Sequence, residues 1–498
     1  MTVTDPIAVE QHQFDSLKRR YTKAGQEHLL TFWDQLSQEQ QRELYDQLRE
    51  MDIERVNQIF KRTIQASQNK SEIQVAPLPE DVFDTVQAAS PETIKRWNDT
   101  GLQLIAEGKV AVILMAGGQG TRLGSSAPKG CYDINLPSHK SLFQLQAERI
   151  LRLQNLSKEI YGSSSKSVIP WYIMTSGPTY QASFMFFKAN NFFGLEEKNV
   201  MFFQQGTLPC LTMEGKVFLE TKNRVAVAPD GNGGIYNALQ KEGVISSLKE
   251  RGIQYSHCYC VDNCLAKVAD PVFIGYCATK SADCGVKVVG KVAPEEPVGV
   301  VCLRNNEYGV VEYSEISEEV SKRRNADGSL AFGAANIANH FFSTDFLHKV
   351  AGLADSLEFH IAKKKIPHTD LQTGDLMAPK TPNGMKLECF VFDVFAFAKN
   401  MTVLQVNRED EFSPLKNAPG SGVDCPETSR RDIMAQHIRF IEAAGGQISS
   451  EECKSNAVLE ISPLVSYAGE GLADIVGGKT IKTPAVIDSK NDLIRSLL

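Results

Sequence analysis

Apolar positions along the chain change their period partway. Early on they recur at helical spacing: Ser37-Gln-Glu-Gln40 is a capping-box pattern ahead of Leu44, Leu48 and Met51. Asp52 then stands before Ile53, Val56, Ile59, Phe60 and Ile64 on one apolar stripe, the pattern of a second capped helix. Their Gln, Glu, Arg and Lys faces read as solvated surface. The stripe does not persist over three heptads, which disfavours a coiled coil. Residues 66–79 read as a linker.

From Lys109 the pattern becomes strand–helix alternation. Apolar runs of strand length fall at Val110–Met115, Val168–Met174, Val200–Phe203, Tyr255–Val261 and Val286–Val289, with helix-like stretches at Leu142–Leu156 and Gly234–Glu250. This predicts an α/β fold with a central doubly wound, mostly parallel, Rossmann-like sheet and ligands at the carboxyl ends of its strands. Val298–Glu315 alternates apolar and polar residues and predicts an antiparallel ribbon. The Gly/Pro-rich stretch Ala418–Glu427 marks a loop or boundary, and Ser429–Ala444 a helix. The expected division is a helical N-terminal region (1–105), a catalytic α/β domain (106–400) and a small C-terminal α+β domain (401–498).

Composition narrows the function. The 498 residues are 42% hydrophobic and 23% charged, with a net charge of −7, in the globular range and without the basic excess of a nucleic-acid binder. The longest apolar run, Val110–Ala116, is far short of the roughly 20 residues that span a bilayer. The first residues lack a basic start and apolar core, so no secretory signal is expected. The 11 cysteines lack a zinc-ligand pattern: Cys258, Cys260 and Cys264 have no second Cys/His group. Free thiols in a reducing, cytoplasmic compartment are expected. The nine histidines show no ligand-like spacing.

The stretch with most chemical content is VILMAGGQGTRLGSSAPKG, Val112–Gly130. A buried strand ends at Ala116, and Gly117, Gly118, Gly120 and Gly124 then permit tight turns and close backbone approach to a ligand. Free N–H groups in such a loop cradle phosphate oxygens, and Thr121, Arg122 and Lys129 add donors. The Walker pattern fails because Lys129 follows Pro128, and the dinucleotide fingerprint fails because the third glycine arrives late, at Gly124.

GGxGTRLG followed by a Pro-Lys pair resembles the signature of sugar-nucleotide pyrophosphorylases. Further runs resemble the eukaryotic UDP-N-acetylglucosamine pyrophosphorylases, in that family's order: FFQQG (Phe202–Gly206), APDGNGGIY (Ala228–Tyr236), YCVDN (Tyr259–Asn263), EPVGVV (Glu296–Val301), VVEYSEI (Val310–Ile316), NIANHFF (Asn336–Phe342), FVFDVF (Phe390–Phe395), REDEFSPLKNA (Arg408–Ala418) and ISPLVSYAGEGL (Ile461–Leu472). The resemblance implies a nucleotidyltransferase fold and formation of UDP-N-acetylglucosamine and pyrophosphate from UTP and N-acetylglucosamine 1-phosphate. N-acetylgalactosamine 1-phosphate is a further expected substrate. It implies Mg²⁺ or Mn²⁺ as cofactor and a monomer or weak homodimer, with small-molecule substrates and neither nucleic acid nor membrane as partner.

The sugar phosphate is already ionised at neutral pH, so this chemistry asks for cations, N–H donors and alignment rather than a general base. Carried over residue by residue, the resemblance gives Leu114, Met115, Ala116, Gly117 and Gly118 backbone contacts to uracil and phosphates. Arg122, Lys129 and Lys416 would hold phosphate oxygens and stabilise the transition state, with Lys386 adding charge. Gln205 would bond the uracil edge, Gly231 would lie by the uridine, and Asp262 would meet the metal. Asn232 would lie at the sugar, Glu312, Tyr313 and Asn336 would meet its hydroxyls and N-acetyl group, and Lys416 would bring charge to the phosphates. Phe390 and Phe392, expected to alternate on a strand, would wall the acetamide, with ordinary core packing as the rival. Rival functions are a UDP-glucose or general UDP-sugar pyrophosphorylase, and a non-catalytic nucleotide-sugar sensor.

Overall fold

The computed structural model describes residues 8–68, 74–313, 315–449 and 457–497. Its backbone packs as two units, one of residues 1–73, 205–234 and 354–393, the other of residues 74–204, 235–353 and 394–498. These boundaries differ from the three-part division expected from the sequence.

The larger unit is built on an 11-stranded sheet. In chain order its strands are β1 (Val75–Ala76), β2 (Phe83–Thr85), β3 (Val110–Met115), β4 (Trp171–Thr175), β5 (Val200–Gln204), β6 (Tyr255–Cys260), β7 (Cys284–Gly290), β8 (Val300–Arg304), β9 (Glu307–Val311), β10 (Ala334–Ser343) and β11 (Met401–Val406). The main path runs β2-β11-β7-β10-β6-β3-β4-β5. Every pair on it is parallel except those made by β10, which runs antiparallel to both β7 and β6. The sheet is therefore mostly parallel, as expected, with one reversed strand inside it. β8 and β9 form the antiparallel ribbon the alternation predicts.

β3 is buried along its whole length, which explains its unbroken apolar run. Val110, Val112 and Leu114 belong to a core with Trp171, Ile173, Phe143 and Phe187. The rings of Phe143 and Phe187 meet edge to face at 4.9 Å. Helices Pro91–Ala106 and Pro271–Thr279 pack backbone to backbone, since a Cβ on Gly101 would lie 2.0 Å from the carbonyl oxygen of Pro271. The single helix expected over 234–250 is instead two, Ile235–Lys241 and Val244–Glu250, broken at Gly243 with φ +77°.

The C-terminal part of this unit has its own apolar cluster, including Ile441, Leu459, Ile461, Val476 and Leu493. Helix Pro426–Ala443 packs there with two parallel strand pairs. Lys140, next to the glycine-rich loop region, ties to it through Asp488 at 3.0 Å and Ser462 at 3.1 Å.

In the smaller unit the two early helices form as expected, over Gln38–Glu50 and Ile53–Gln68. Ser37 and Gln40 make the capping box, and Asp52 Oδ1 accepts from the Arg55 amide at 3.0 Å. Their polar side is not wholly solvated, which corrects the expectation. Gln47 exchanges both amide hydrogen bonds with the backbone of Val225. Residues 66–79 are not simply a linker either. Residues 66–68 end the second helix, and Val75–Ala76 pairs with Arg304 and Leu303.

Candidate active site

The glycine-rich loop leaves the carboxyl end of β3 and folds back on itself. Gln119 bridges Pro128, the Gly120 amide donates to Ala127 at 2.9 Å, and the Lys129 amide returns to the Gly118 carbonyl at 3.1 Å. Gly124 takes φ +78°, a conformation that costs a non-glycine residue. Ser176 Oγ donates to the Gly117 carbonyl at 2.7 Å. The amides of Gly117 and Gly118 meet no acceptor among the described residues, and the space a Gly118 Cβ would occupy is open. Leu114, Met115 and Ala116 are the buried strand end that supports this loop.

Three cations belong to this unit's loop edge. Lys129 is half-buried, its ammonium donating to the Leu415 carbonyl at 3.1 Å and standing 3.7 Å from Asp262 Oδ2. Arg122 and Lys416 are exposed, and neither side chain makes a hydrogen bond or ion pair among the described residues. Asp262 lies just past β6, and its carbonyl accepts from the Leu415 amide at 2.8 Å. The structure thus brings together Lys129, Asp262 and the segment leading into Lys416. No trio of His, Cys, Asp and Glu side chains is placed to cage a metal among the described residues. A lone carboxylate beside phosphates still fits Mg²⁺, which keeps several waters and takes one or two protein carboxylates.

Asn336 and Glu312 converge on Gly299. The Asn336 amide donates to the Gly299 carbonyl at 2.8 Å, and a Cβ on Gly299 would lie 3.0 Å from Glu312 Oε1. β10 carries a bulge here: its pairing shifts from Lys287–Asn339 to Val288–Asn336, with Ala338 at φ +51°. The Ala338 N–H donates to Asn336 Oδ1 at 3.0 Å, which fixes that amide's orientation. His340 Nε2 reaches the same oxygen at 3.4 Å. Tyr313, next to Glu312, is exposed.

In the smaller unit the DGNGG turn is laced to residues 389–393. Gly231 has φ +88°, and a Cβ on it would sit 2.3 Å from the Cys389 carbonyl oxygen. Gly233 donates to that carbonyl at 2.9 Å, and the Val391 amide donates to Asn232 Oδ1 at 3.0 Å. Asp230, buried between Gly206 and Gly234, has its carboxyl pushed up to about 6 by burial. Gln205 follows the end of β5 and is half-buried. Lys386 lies on the strand Gly384–Glu388, opposite Ala362.

Phe390 and Phe392 do not alternate on a strand, contrary to expectation. That strand ends at Glu388, because Asp393 Oδ2 accepts from the Phe390 amide at 2.6 Å and turns the chain. Their rings nevertheless stack 5.1 Å apart. Sequence reasoning passed over Asn263 and His340, although both lie inside motifs it quoted; only their burial and hydrogen bonds single them out.

A sheet whose strand end carries an open glycine loop, with Lys129 and Asp262 beside it, is an arrangement suited to a phosphate-bearing ligand. The chain belongs to the UDPGP family, described as UTP--glucose-1-phosphate uridylyltransferase, which matches residues 53–451. It is 45% identical over 499 residues to a Xenopus tropicalis protein named UDP-N-acetylhexosamine pyrophosphorylase-like protein 1, covering 96% of this chain and 97% of that one. It is 42% identical to the Saccharomyces cerevisiae UDP-N-acetylglucosamine pyrophosphorylase, covering 92% and 97%. Among solved structures it resembles the UDP-N-acetylglucosamine pyrophosphorylase of Trypanosoma brucei in complex with inhibitor, at TM-score 0.81 and 32% identity over 94% of this chain and 95% of that one.

Proposed function

We propose that the chain forms UDP-N-acetylglucosamine and pyrophosphate from UTP and N-acetylglucosamine 1-phosphate by direct in-line displacement. A sugar-phosphate oxygen bonds to the α-phosphorus, the bond from that phosphorus to the β-phosphate's bridging oxygen breaks, and pyrophosphate leaves with the electron pair. No proton need be removed from the nucleophile, so the task is to bring polyanions together and hold them in line.

The observation that carries this reading is the set of cations beside a loop whose Gly117 and Gly118 amides meet no acceptor among the described residues: Lys129 at 3.7 Å from Asp262, with Arg122 and Lys416 making no side-chain hydrogen bond or ion pair among those residues. Gly117 and Gly118 offer N–H groups to phosphate oxygens, and Lys129 and Arg122 neutralise the triphosphate. Lys416 meets the incoming sugar phosphate, with Lys386 adding positive charge. Asp262 would hold a divalent cation, Mg²⁺ or Mn²⁺, which when bound neutralises phosphate oxygens. Gln205 offers both a donor and an acceptor to the uracil edge, and Gly231 lets the backbone approach the uridine. Asn232, Glu312, Tyr313 and Asn336 bond the sugar's hydroxyls and acetamide, while Phe390 and Phe392 wall the acetamide methyl. With ten described cysteines free, a reducing cytoplasm suits the enzyme, acting as a monomer or weak dimer.

Pyrophosphate release from UTP with a panel of sugar 1-phosphates tests the proposal. N-acetylglucosamine 1-phosphate should be used best, and N-acetylgalactosamine 1-phosphate to a lesser degree. Glucose 1-phosphate should be poor, because a site built to bond an acetamide is left unsatisfied by a sugar lacking it. Equal or better use of glucose 1-phosphate would contradict the substrate assignment, and no release with any sugar would favour a sensor.

A further inference from the structure

Asn263 follows Asp262 and is 4% exposed. Its Nδ2 donates to the Glu411 carbonyl at 2.7 Å, while its Oδ1 accepts from the amides of Ser413 at 3.0 Å and Leu265 at 3.2 Å. Both groups facing Oδ1 are backbone N–H donors, so the orientation of the carboxamide is fixed. The backbone adds a bridge between Asn263 and Pro414, and Cys264 donates to the Ser413 carbonyl at 3.0 Å.

One end of the clamped segment is anchored by buried ion pairs. Lys287, fully buried, pairs with Asp270 at 2.6 Å and also with Glu411. Burial opposes ionisation of Asp270, but the ammonium groups of Lys287 and Lys267 outweigh it and hold that carboxyl below its usual range. From Glu411 the chain runs five residues to Lys416, whose side chain makes no hydrogen bond or ion pair among the described residues, its charge acting on the nearby Asp424 carboxyl. The Lys416 N–H donates to the Asp424 carbonyl at 2.7 Å; on its other side the lysine's place is set by what holds residues 411–415, and among the described residues the one side chain bonded to the backbone of that stretch at two points is Asn263.

We infer that Asn263 is a positioning residue for Lys416, fixing the register of the lysine-bearing segment against the strand end that carries Asp262. This rests on the uridylyltransferase reading, in which Lys416 meets a phosphate. A cation displaced by about 1 Å from a phosphate in the transition state can cost about 100-fold in rate. Asn263→Asp is the informative variant. It keeps the acceptor for Ser413 and Leu265 but turns an oxygen toward the Glu411 carbonyl, so the clamp opens at one point only.

The test measures kcat, KM and Tm for Asn263→Asp and Asn263→Ala, each alone and combined with Lys416→Ala. Alone, each should lower kcat by about 10- to 100-fold with KM for both substrates changed by less than about 3-fold. In the Lys416→Ala protein the same substitutions should lower kcat by less than about 3-fold, because the group they position is gone. A fall in Tm with kcat unchanged, or the full fall in kcat repeated without Lys416, would overturn the inference. A wild-type protein that releases no pyrophosphate would instead overturn the activity on which it rests.

Discussion

The ammonium of Lys129 and the carboxylate of Asp262 face each other at 3.7 Å, an ion pair without a direct hydrogen bond. Their elements meet at this edge because β3 and β6 are neighbours in register, with Met115 beside Cys260. A pair this loose leaves the carboxylate oxygens, and the ammonium protons not given to the Leu415 carbonyl, open to other partners. The arrangement suits a cation and a phosphate that bind together.

Asp262→Asn should therefore lose most activity while keeping its Tm. The amide preserves the shape but removes the charge a divalent cation requires. Turnover measured across a Mg²⁺ titration checks this. Wild-type turnover with the same Mg²⁺ dependence would reduce Asp262 to a structural pair for Lys129.

Gln205→Ala should weaken use of UTP by about 1–3 kcal/mol in kcat/KM, the cost of leaving a buried polar group unsatisfied. It should also narrow the gap between UTP and other nucleoside triphosphates. An equal loss with every nucleotide would mean that Gln205 only supports the end of β5.

Acid should destabilise the protein below about pH 6.5. Burial holds His257 down at about 4 and His340 and His437 at about 3, so each binds a proton more readily when unfolded. Their contribution is complete above the unfolded value near 6.5 and is lost as pH falls, at up to about 3 kcal/mol for His257 by pH 4. Asp230, raised to about 6 by burial, works the other way and gains stability as pH falls. Burial also lowers His28, and raises the carboxyls of Asp424 and Glu460; the large shifts of His257, His340 and His437 outweigh the raised carboxyls and leave a net loss, readable as a falling Tm between pH 7.5 and 5. A flat Tm over that interval would contradict it.

Much of the fold was legible because local pattern and tertiary context agree. The strand at Val110–Met115 and the capped helices are written in contiguous residues, and the glycine loop is one motif. The reversed strand β10 was not, since its two antiparallel pairings depend on residues more than forty positions away in the chain. Phe390 and Phe392 mimic strand alternation, but the side chain of Asp393 captures the Phe390 amide and ends the ladder first. Asn263 was hidden for a similar reason. Nothing in YCVDN reveals that its carboxamide reaches residues 411 and 413, about 150 positions onward.

The most direct test of the mechanism is the steady-state kinetics of Lys129→Ala. Lys129 lies at the loop edge with its ammonium donating to the Leu415 carbonyl and facing Asp262, and in the proposed reaction charge would build there as pyrophosphate departs. A preorganised donor acting on developing charge contributes more in the transition state than in the ground state. Its loss should cost about 3–4 kcal/mol, lowering kcat by roughly 100- to 1,000-fold with only a modest change in KM and a nearly unchanged Tm. Lys129→Arg should rescue little, because a planar fork does not replace a compact charge in this loop. A folded Lys129→Ala protein with near-normal kcat would contradict the account.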